Sequence, residues 1–298
     1  MILVAGSANL DFVVRAPHVP APGETVLGRD FQVFPGGKGA NQAVACARAG
    51  GGVTHMLLAL GDDAFAAPIE ASLEAAGVHM HTLRVPDKAT GTAFVCVSDQ
   101  AENAITVAPG ANFSLSAADL PPLTEFTHLL LQLEIRLDTV VAYARAAKAQ
   151  GIRVVLNAAP ARALSAELLA LIDVLIVNEG ELAVIAGRRG SIAESLERIS
   201  VPCAVVTLGQ QGCCAWSQGV LLRQSAFEVT TVDSTGAGDT FCGVLVAALS
   251  RGDELPQALR QASAAGALAC TRLGAQSSIP TQAELTDFLG RHDLSPAS

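Results

Sequence analysis

Short apolar runs alternate with amphipathic stretches along most of the chain. Ile2-Leu3-Val4-Ala5 closes at Gly6, as a buried strand ending in a turn does. Segments 53–60, 128–133, 152–157, 174–178 and 203–207 have the same character, while 63–76 and 138–150 space their apolar residues as helices do. Continuous apolar strands separated by helices predict an α/β fold with a mainly parallel central sheet covered by helices on both faces. Two zones break this rhythm. Residues 25–34 and 90–98 alternate like exposed strands, and the second turns through Asp99-Gln100-Ala101-Glu102-Asn103 into 104–107 as a hairpin. They predict a small β-sheet lid, drawn from about 9–35 and 90–108, on a single α/β domain covering 1–298. Further helices are expected over 40–49, 241–249, 255–270 and 282–289, followed by a short polar tail.

The chemistry concentrates where these elements begin and end. In Asp233-Ser234-Thr235-Gly236-Ala237-Gly238-Asp239-Thr240-Phe241, two glycines bracket one small residue ahead of an acid and a long apolar run, which marks a helix start. The unpaired N–H groups of a first helical turn receive anions, and glycine lets a phosphate approach the backbone. Asp239 in that turn reads either as a base that takes a proton from an attacking hydroxyl or as a favourable charge on a core helix. Asn9 and Asp11 lie two apart and share one face of an extended segment, suited to neighbouring sugar hydroxyls or to an Asx turn. Pro35-Gly36-Gly37-Lys38-Gly39-Ala40-Asn41-Gln42 opens another helix, but its glycine and lysine spacing does not fit the phosphate loop of nucleoside triphosphatases. Its backbone and Asn41 remain available to a small polar ligand. Ligands of open parallel sheets bind beyond the carboxyl ends of the strands. Gln132, Glu134, Asn157, Asn178, Glu181, Thr207 and Gly209 all follow apolar runs on that rim.

Composition narrows the class. Half of the 298 residues are hydrophobic and 16% are charged, as in a globular protein with a sizeable core. A net charge of −9 and a pI near 5.1 argue against nucleic-acid binding, which needs clustered Lys and Arg. With no basic leader and no run of membrane-spanning length, the expectation is a cytoplasmic protein with no membrane partner. Seven scattered cysteines without C-x-x-C spacing suit buried thiols in a reducing compartment better than zinc or disulfides. A dinucleotide-binding oxidoreductase would carry G-x-G-x-x-G after its first strand, and Gly6-Ser7-Ala8 does not continue in that way.

Three blocks in register, Gly6-Ser7-Ala8-Asn9-Leu10-Asp11, Gly36 to Ala43 and Asp233 to Phe241, resemble the PfkB family of carbohydrate kinases, nearest to its ribokinases. The likeness continues through Gln132-Leu133-Glu134, Asn178-Glu179-Gly180-Glu181, Thr207-Leu208-Gly209-Gln210-Gln211-Gly212 and Gly274-Ala275-Gln276. It implies a ribokinase-like fold and ATP-dependent phosphorylation of a sugar hydroxyl, O5 of D-ribose in ribokinases, with other small sugars or nucleosides as alternatives. By this resemblance Asp239 is the base, and the amides of Gly236, Ala237 and Gly238 stabilise the transferring phosphoryl group. Asn9, Asp11, Gly37, Lys38, Gly39, Asn41 and Glu134 would hold the sugar. Asn178, Thr207, Leu208, Gly209, Gly212 and Gly238 would line the nucleotide site, with Glu181 positioning Mg²⁺ through water. A K⁺ would sit among Asp233, Thr235, Ala269, Arg272, Gly274 and Ser278. The family likeness also implies a homodimer formed through the lid. Two departures stand out: Asn157-Ala158-Ala159-Pro160 where ribokinases commonly read Asn-Pro-Ala-Pro, and Ser263 where a His or Asn often meets the adenine.

Overall fold

The computed structural model describes residues 1–100, 103–187 and 190–293; of the expected features, Ala101 and Glu102 of the hairpin turn and the tail 294–298 lie outside them. The first half of the chain contains β1 (Ile2–Ala5), β2 (Asn9–Ala16), β3 (Arg29–Gly36), α1 (Lys38–Val44), β4 (Thr54–Gly61), α2 (Ala66–Ala75), β5 (His79–Val85), β6 (Gly91–Ser98), β7 (Asn103–Ala108) and β8 (His128–Leu131). There follow α3 (Leu137–Ala149), β9 (Arg153–Asn157), α4 (Ala166–Leu171), β10 (Val174–Asn178), α5 (Glu179–Ala186), α6 (Ile192–Glu197), β11 (Cys203–Thr207), β12 (Cys213–Ser217) and β13 (Val220–Gln224). Three helices end the chain: α7 (Ala237–Ser250), α8 (Leu255–Ala269) and α9 (Gln282–Asp293).

Among the described residues the large sheet runs β13-β12-β11-β10-β9-β8-β1-β4-β5, parallel from β11 to β5 with an antiparallel hairpin at the other edge. Period-two alternation sends successive side chains to opposite faces. Ile2 and Val4 of β1 join one core with residues of α1, α2, α7, α8 and α9, while Leu3 and Ala5 join the other with α3 to α6. Each fully buried leucine of these layers, such as Leu130 or Leu131, contributes about 2 kcal/mol by removing apolar surface from water. The expected mainly parallel sheet with helices on both faces is what the chain forms.

Two pieces were not expected. Strand β5 is an edge strand of mixed polarity, and β12–β13 is a hairpin turning at Gln218 and Gly219, both at positive φ. A Gln-Gly turn is a weaker signal than Asn-Gly, so the hairpin is hard to read locally. The helix expected from residue 63 begins at Ala66, because the Asp63 carboxylate instead accepts from the Thr90 N–H at 2.7 Å and the Thr90 hydroxyl at 2.8 Å.

The second sheet, β3-β2-β6-β7, draws on the two zones expected to form a lid. Phe12 of β2 stacks with Phe94 of β6 and meets the edge of Phe65 just ahead of α2, fastening this sheet to the helical layer. Helix α1 continues through a π-helical turn, Ala45–Ala49, and lies hard against α7. The contact point is Gly243: a Cβ there would stand 2.6 Å from Ala45 Cβ and 2.6 Å from the Gln42 carbonyl oxygen. This close approach brings side chains of α1 to the first turn of α7.

Candidate active site

Asp239 lies in that first turn, only 8% exposed. Gly236 caps the helix at φ 74, with a Cβ position 2.9 Å from Ala275 Cα, so glycine is required by backbone and by space. Around Gly238 there is open space. The Ala237 N–H donates to the Ser234 carbonyl at 3.2 Å, so this amide of the expected anion site already has a partner.

Asn41 Nδ2 donates to Asp239 Oδ2 and Gln42 Nε2 donates to Asp239 Oδ1, each at 2.9 Å. Asn41 Oδ1 accepts from Gln276 Nε2 at 3.1 Å. Asn41, expected at the sugar, therefore also holds the carboxylate. Gln42 and Gln276 carry no role in the sequence reading, although both fall inside quoted motifs; their importance depends on which helices touch.

Strand β2 leads from the end of β1 to the site. Asn9 is buried and its Oδ1 accepts from Asn112 Nδ2 at 2.8 Å. Asp11 follows on the same face, and a Cβ on Gly36 would fall 2.0 Å from its carboxylate, so glycine leaves the acid its room. Asp11 Oδ1 is buried without a partner. Burial, then the charges of Glu134 and Asp239, push its pKa up to about 7. Glu134 Oε2 accepts from the Ser7 hydroxyl at 2.6 Å and from the Lys38 N–H at 3.1 Å. The Lys38 ammonium is held above its ordinary range chiefly by Asp239, against burial, with help from Glu134 and Glu181.

The raised Asp11 pKa has a stability consequence. The folded chain keeps this proton up to about pH 7, whereas the unfolded chain releases it near 3.8. Folding therefore takes up a proton in that window, and stability is lost as pH rises through it. Asp11→Asn is expected to raise Tm on the order of 5 °C at pH 8 and less at pH 5. Equal gains in thermal unfolding at the two pH values would count against it.

A chamber of about 130 Å³ is lined by Lys38, Asn157, Asn178, Glu181, Gly238 and Asp239 among others. Thr207 and Gly238 also line a larger cleft of about 880 Å³, bounded by Gly209, Gly212, Phe227, Ser263 and Gly266. Leu208, also expected at the nucleotide, is buried and donates its N–H to the Gly212 carbonyl at 2.8 Å, closing the loop that carries both glycines. Asn178 and Glu181 form a capping box on α5: the Glu181 N–H donates to Asn178 Oδ1 and the Asn178 N–H to Glu181 Oε2, both at 2.8 Å. Asn178 thus spends its oxygen on the helix, and Glu181 Oε1 takes no part in the box. Burial raises the Glu181 pKa.

Oxygen-rich backbone lies beside the cleft. Asp233 accepts from the Thr235 N–H and hydroxyl at 2.9 and 2.7 Å, and from the Gly274 N–H at 2.9 Å. Burial pushes the Asp233 carboxyl up, but these hydrogen bonds outweigh it and hold it below its ordinary range. The loop after α8 thus folds back onto the segment before α7, as expected. The Ala269 carbonyl accepts from the Arg272 N–H at 3.3 Å, and the buried Ser278 hydroxyl donates to the Ala275 carbonyl at 2.8 Å. Carboxylate, hydroxyl and carbonyl oxygens are a donor set for a hard cation. No group of three His, Cys, Asp or Glu gathers as a metal cluster among the described residues.

Comparison with known proteins identifies the family. The profile described as pfkB family carbohydrate kinase matches residues 1–282. A ribokinase of Haemophilus influenzae is 37% identical, with 97% of this chain and 98% of the relative covered. A deoxyribokinase of Salmonella typhi is 32% identical, with 98% and 99% covered. Among solved structures, Arabidopsis thaliana ribokinase complexed with ribose and ATP superposes at TM-score 0.89 and 32% identity, covering 97% of this chain and 98% of that one. With Asn41 and Gln42 of one motif held on the carboxylate of another and a match running through nearly the whole sequence, the chain belongs to the PfkB family of carbohydrate kinases.

Proposed function

We propose that the protein is a ribokinase-type sugar kinase, transferring the γ-phosphoryl group of ATP to O5 of D-ribose to give D-ribose 5-phosphate and ADP. The observation that carries this reading is the placement of Asp239. It faces a small chamber shared with Lys38 and Glu181, which joins a nucleotide-sized cleft through Thr207 and Gly238. Asn9, Asp11, Lys38, Asn41 and Glu134, with the backbone of Gly37 and Gly39, hold the sugar. Asp239 takes the proton of the attacking hydroxyl as its oxygen bonds to the γ-phosphorus and the bond to the β,γ-bridging oxygen breaks. Charge on the moving group is met by Lys38 and the amides around Gly236 and Gly238. Glu181 would hold Mg²⁺ through water, and the ion would supply neutralisation of phosphate charge.

K⁺ would be held by the Asp233, Thr235 and Gly274 loop together with oxygens of Ala269, Arg272 and Ser278. Single-domain organisation, a cytoplasmic location and a homodimer complete the proposal. The dimer forms through the small sheets, where Phe31, Phe94 and Ile105 are 63%, 56% and 56% exposed.

The test is ADP formation from ATP and Mg²⁺ across ribose, 2-deoxyribose, fructose and nucleosides, with and without K⁺. Ribose is expected to give the highest kcat/KM, and K⁺ to raise it several-fold. A higher kcat/KM for 2-deoxyribose would transfer the assignment to that sugar, and no turnover with any of them would remove it. Sedimentation at the mass of one subunit would remove the dimer.

A further inference from the structure

Both oxygens of Asp239 are occupied from α1, and the donors are themselves held. Gln42 Nε2 donates to Asn157 Oδ1 at 2.9 Å as well as to Asp239, and Gln42 Oε1 accepts from Gln132 Nε2 at 2.7 Å. Gln42 and Gln132 are fully buried. On the other branch the Ser72 hydroxyl donates to Gln276 Oε1 at 2.5 Å, and Gln276 donates to Asn41.

An ionised carboxylate only accepts hydrogen bonds, whereas an amide has one accepting and one donating end. Gln42 must meet Asp239 with its nitrogen, which turns its oxygen to Gln132 and obliges Gln132 to present nitrogen in turn. The direction of the whole chain follows from the charge on Asp239. A proton arriving on Asp239 cannot lie on the lone pairs that Asn41 and Gln42 occupy, so it is confined to those left free.

We propose that Gln42, held in orientation by Gln132, is a positioning residue for phosphoryl transfer, fixing the Asp239 carboxylate so that only its remaining lone pairs receive the sugar proton. This rests on the reading of Asp239 as the base.

The experiment follows ADP formation with ATP, Mg²⁺ and the best sugar for wild type, Gln42→Leu and Gln132→Leu, and separates kcat from the sugar KM. Gln42→Leu is expected to lower kcat about 30-fold, as loss of a hydrogen bond to a charged group does, with the sugar KM within about 3-fold, because the carboxylate is misplaced while the other contacts to the sugar stay. Gln132→Leu removes only the donor to Gln42, and is milder for the fold because Gln132 Oε1 already lacks a partner. Its kcat is expected to fall about 4-fold, again with the sugar KM within about 3-fold. Wild-type kcat in Gln42→Leu, or a KM that rises as far as kcat falls in either variant, overturns the inference. If Gln42→Leu is recovered only as aggregate, the kcat and KM of Gln132→Leu decide. An inactive wild type would instead remove the kinase reading itself, and the inference with it.

Discussion

Asp239→Asn is expected to bind ribose within a few-fold of wild type while kcat falls about 10³-fold. The substitution keeps the size of the side chain but removes the proton acceptor. It also exchanges one carboxylate oxygen for an NH₂ group, which must then face either Asn41 Nδ2 or Gln42 Nε2, both donors. One hydrogen bond is lost whichever way the new amide turns, at a cost of about 1–3 kcal/mol. Calorimetric ribose binding beside steady-state kinetics separates the two effects. A turnover number equal to wild type would mean that the proton goes elsewhere, and a binding constant that falls in step with kcat would mean that Asp239 chiefly holds the sugar.

The second large effect concerns a residue with no polar atom in its side chain. Gly243→Val introduces atoms where a Cβ alone would already stand 2.6 Å from Ala45 Cβ and 2.8 Å from the Cys46 backbone nitrogen. The neighbours are backbone and a methyl group, and neither swings away. The helices must separate, at a cost of about 3 kcal/mol, or a fall in Tm of about 8 °C for a chain of this size. The same separation carries Asn41 and Gln42 away from Asp239. Misplacement by about 1 Å in an active site costs on the order of 10²-fold in rate, so kcat is expected to fall at least that far. A folded Gly243→Val enzyme with normal Tm and turnover would show that α1 and α7 are free to part without disturbing the carboxylate.

The sequence announces those parts of the site that are local. Gly236, Gly238 and Asp239 lie within four residues, and their pattern specifies a helix mouth with an acid in its first turn. Asn9 and Asp11 follow from alternation along one strand. What it does not announce depends on tertiary contact. Gln42 reads as another polar residue of a helix start until α7 is packed against α1, which requires Gly243, some two hundred residues further on. The capping role of Asn178 was written in the sequence as Asn178-Glu179-Gly180-Glu181, an N-cap followed by an acid three residues later. The partner of the Ala237 amide is a one-turn detail that no spacing rule specifies. In the fold, the parallel strands are legible because both faces are buried, whereas β5 and the β12–β13 hairpin lie at the edges, where mixed polarity blurs the pattern.

Strand β1 also sets an order on biosynthesis. Ile2 pairs with Thr54 on one side and with His128 on the other, so β1 is flanked on both edges only after β8 has emerged from the ribosome. Until then its apolar residues have a single neighbour strand, and the nascent chain carries an open seam at the middle of its future sheet. Pairings so distant in sequence are slow to close, which leaves this seam the segment most exposed to chaperones and to aggregation during translation.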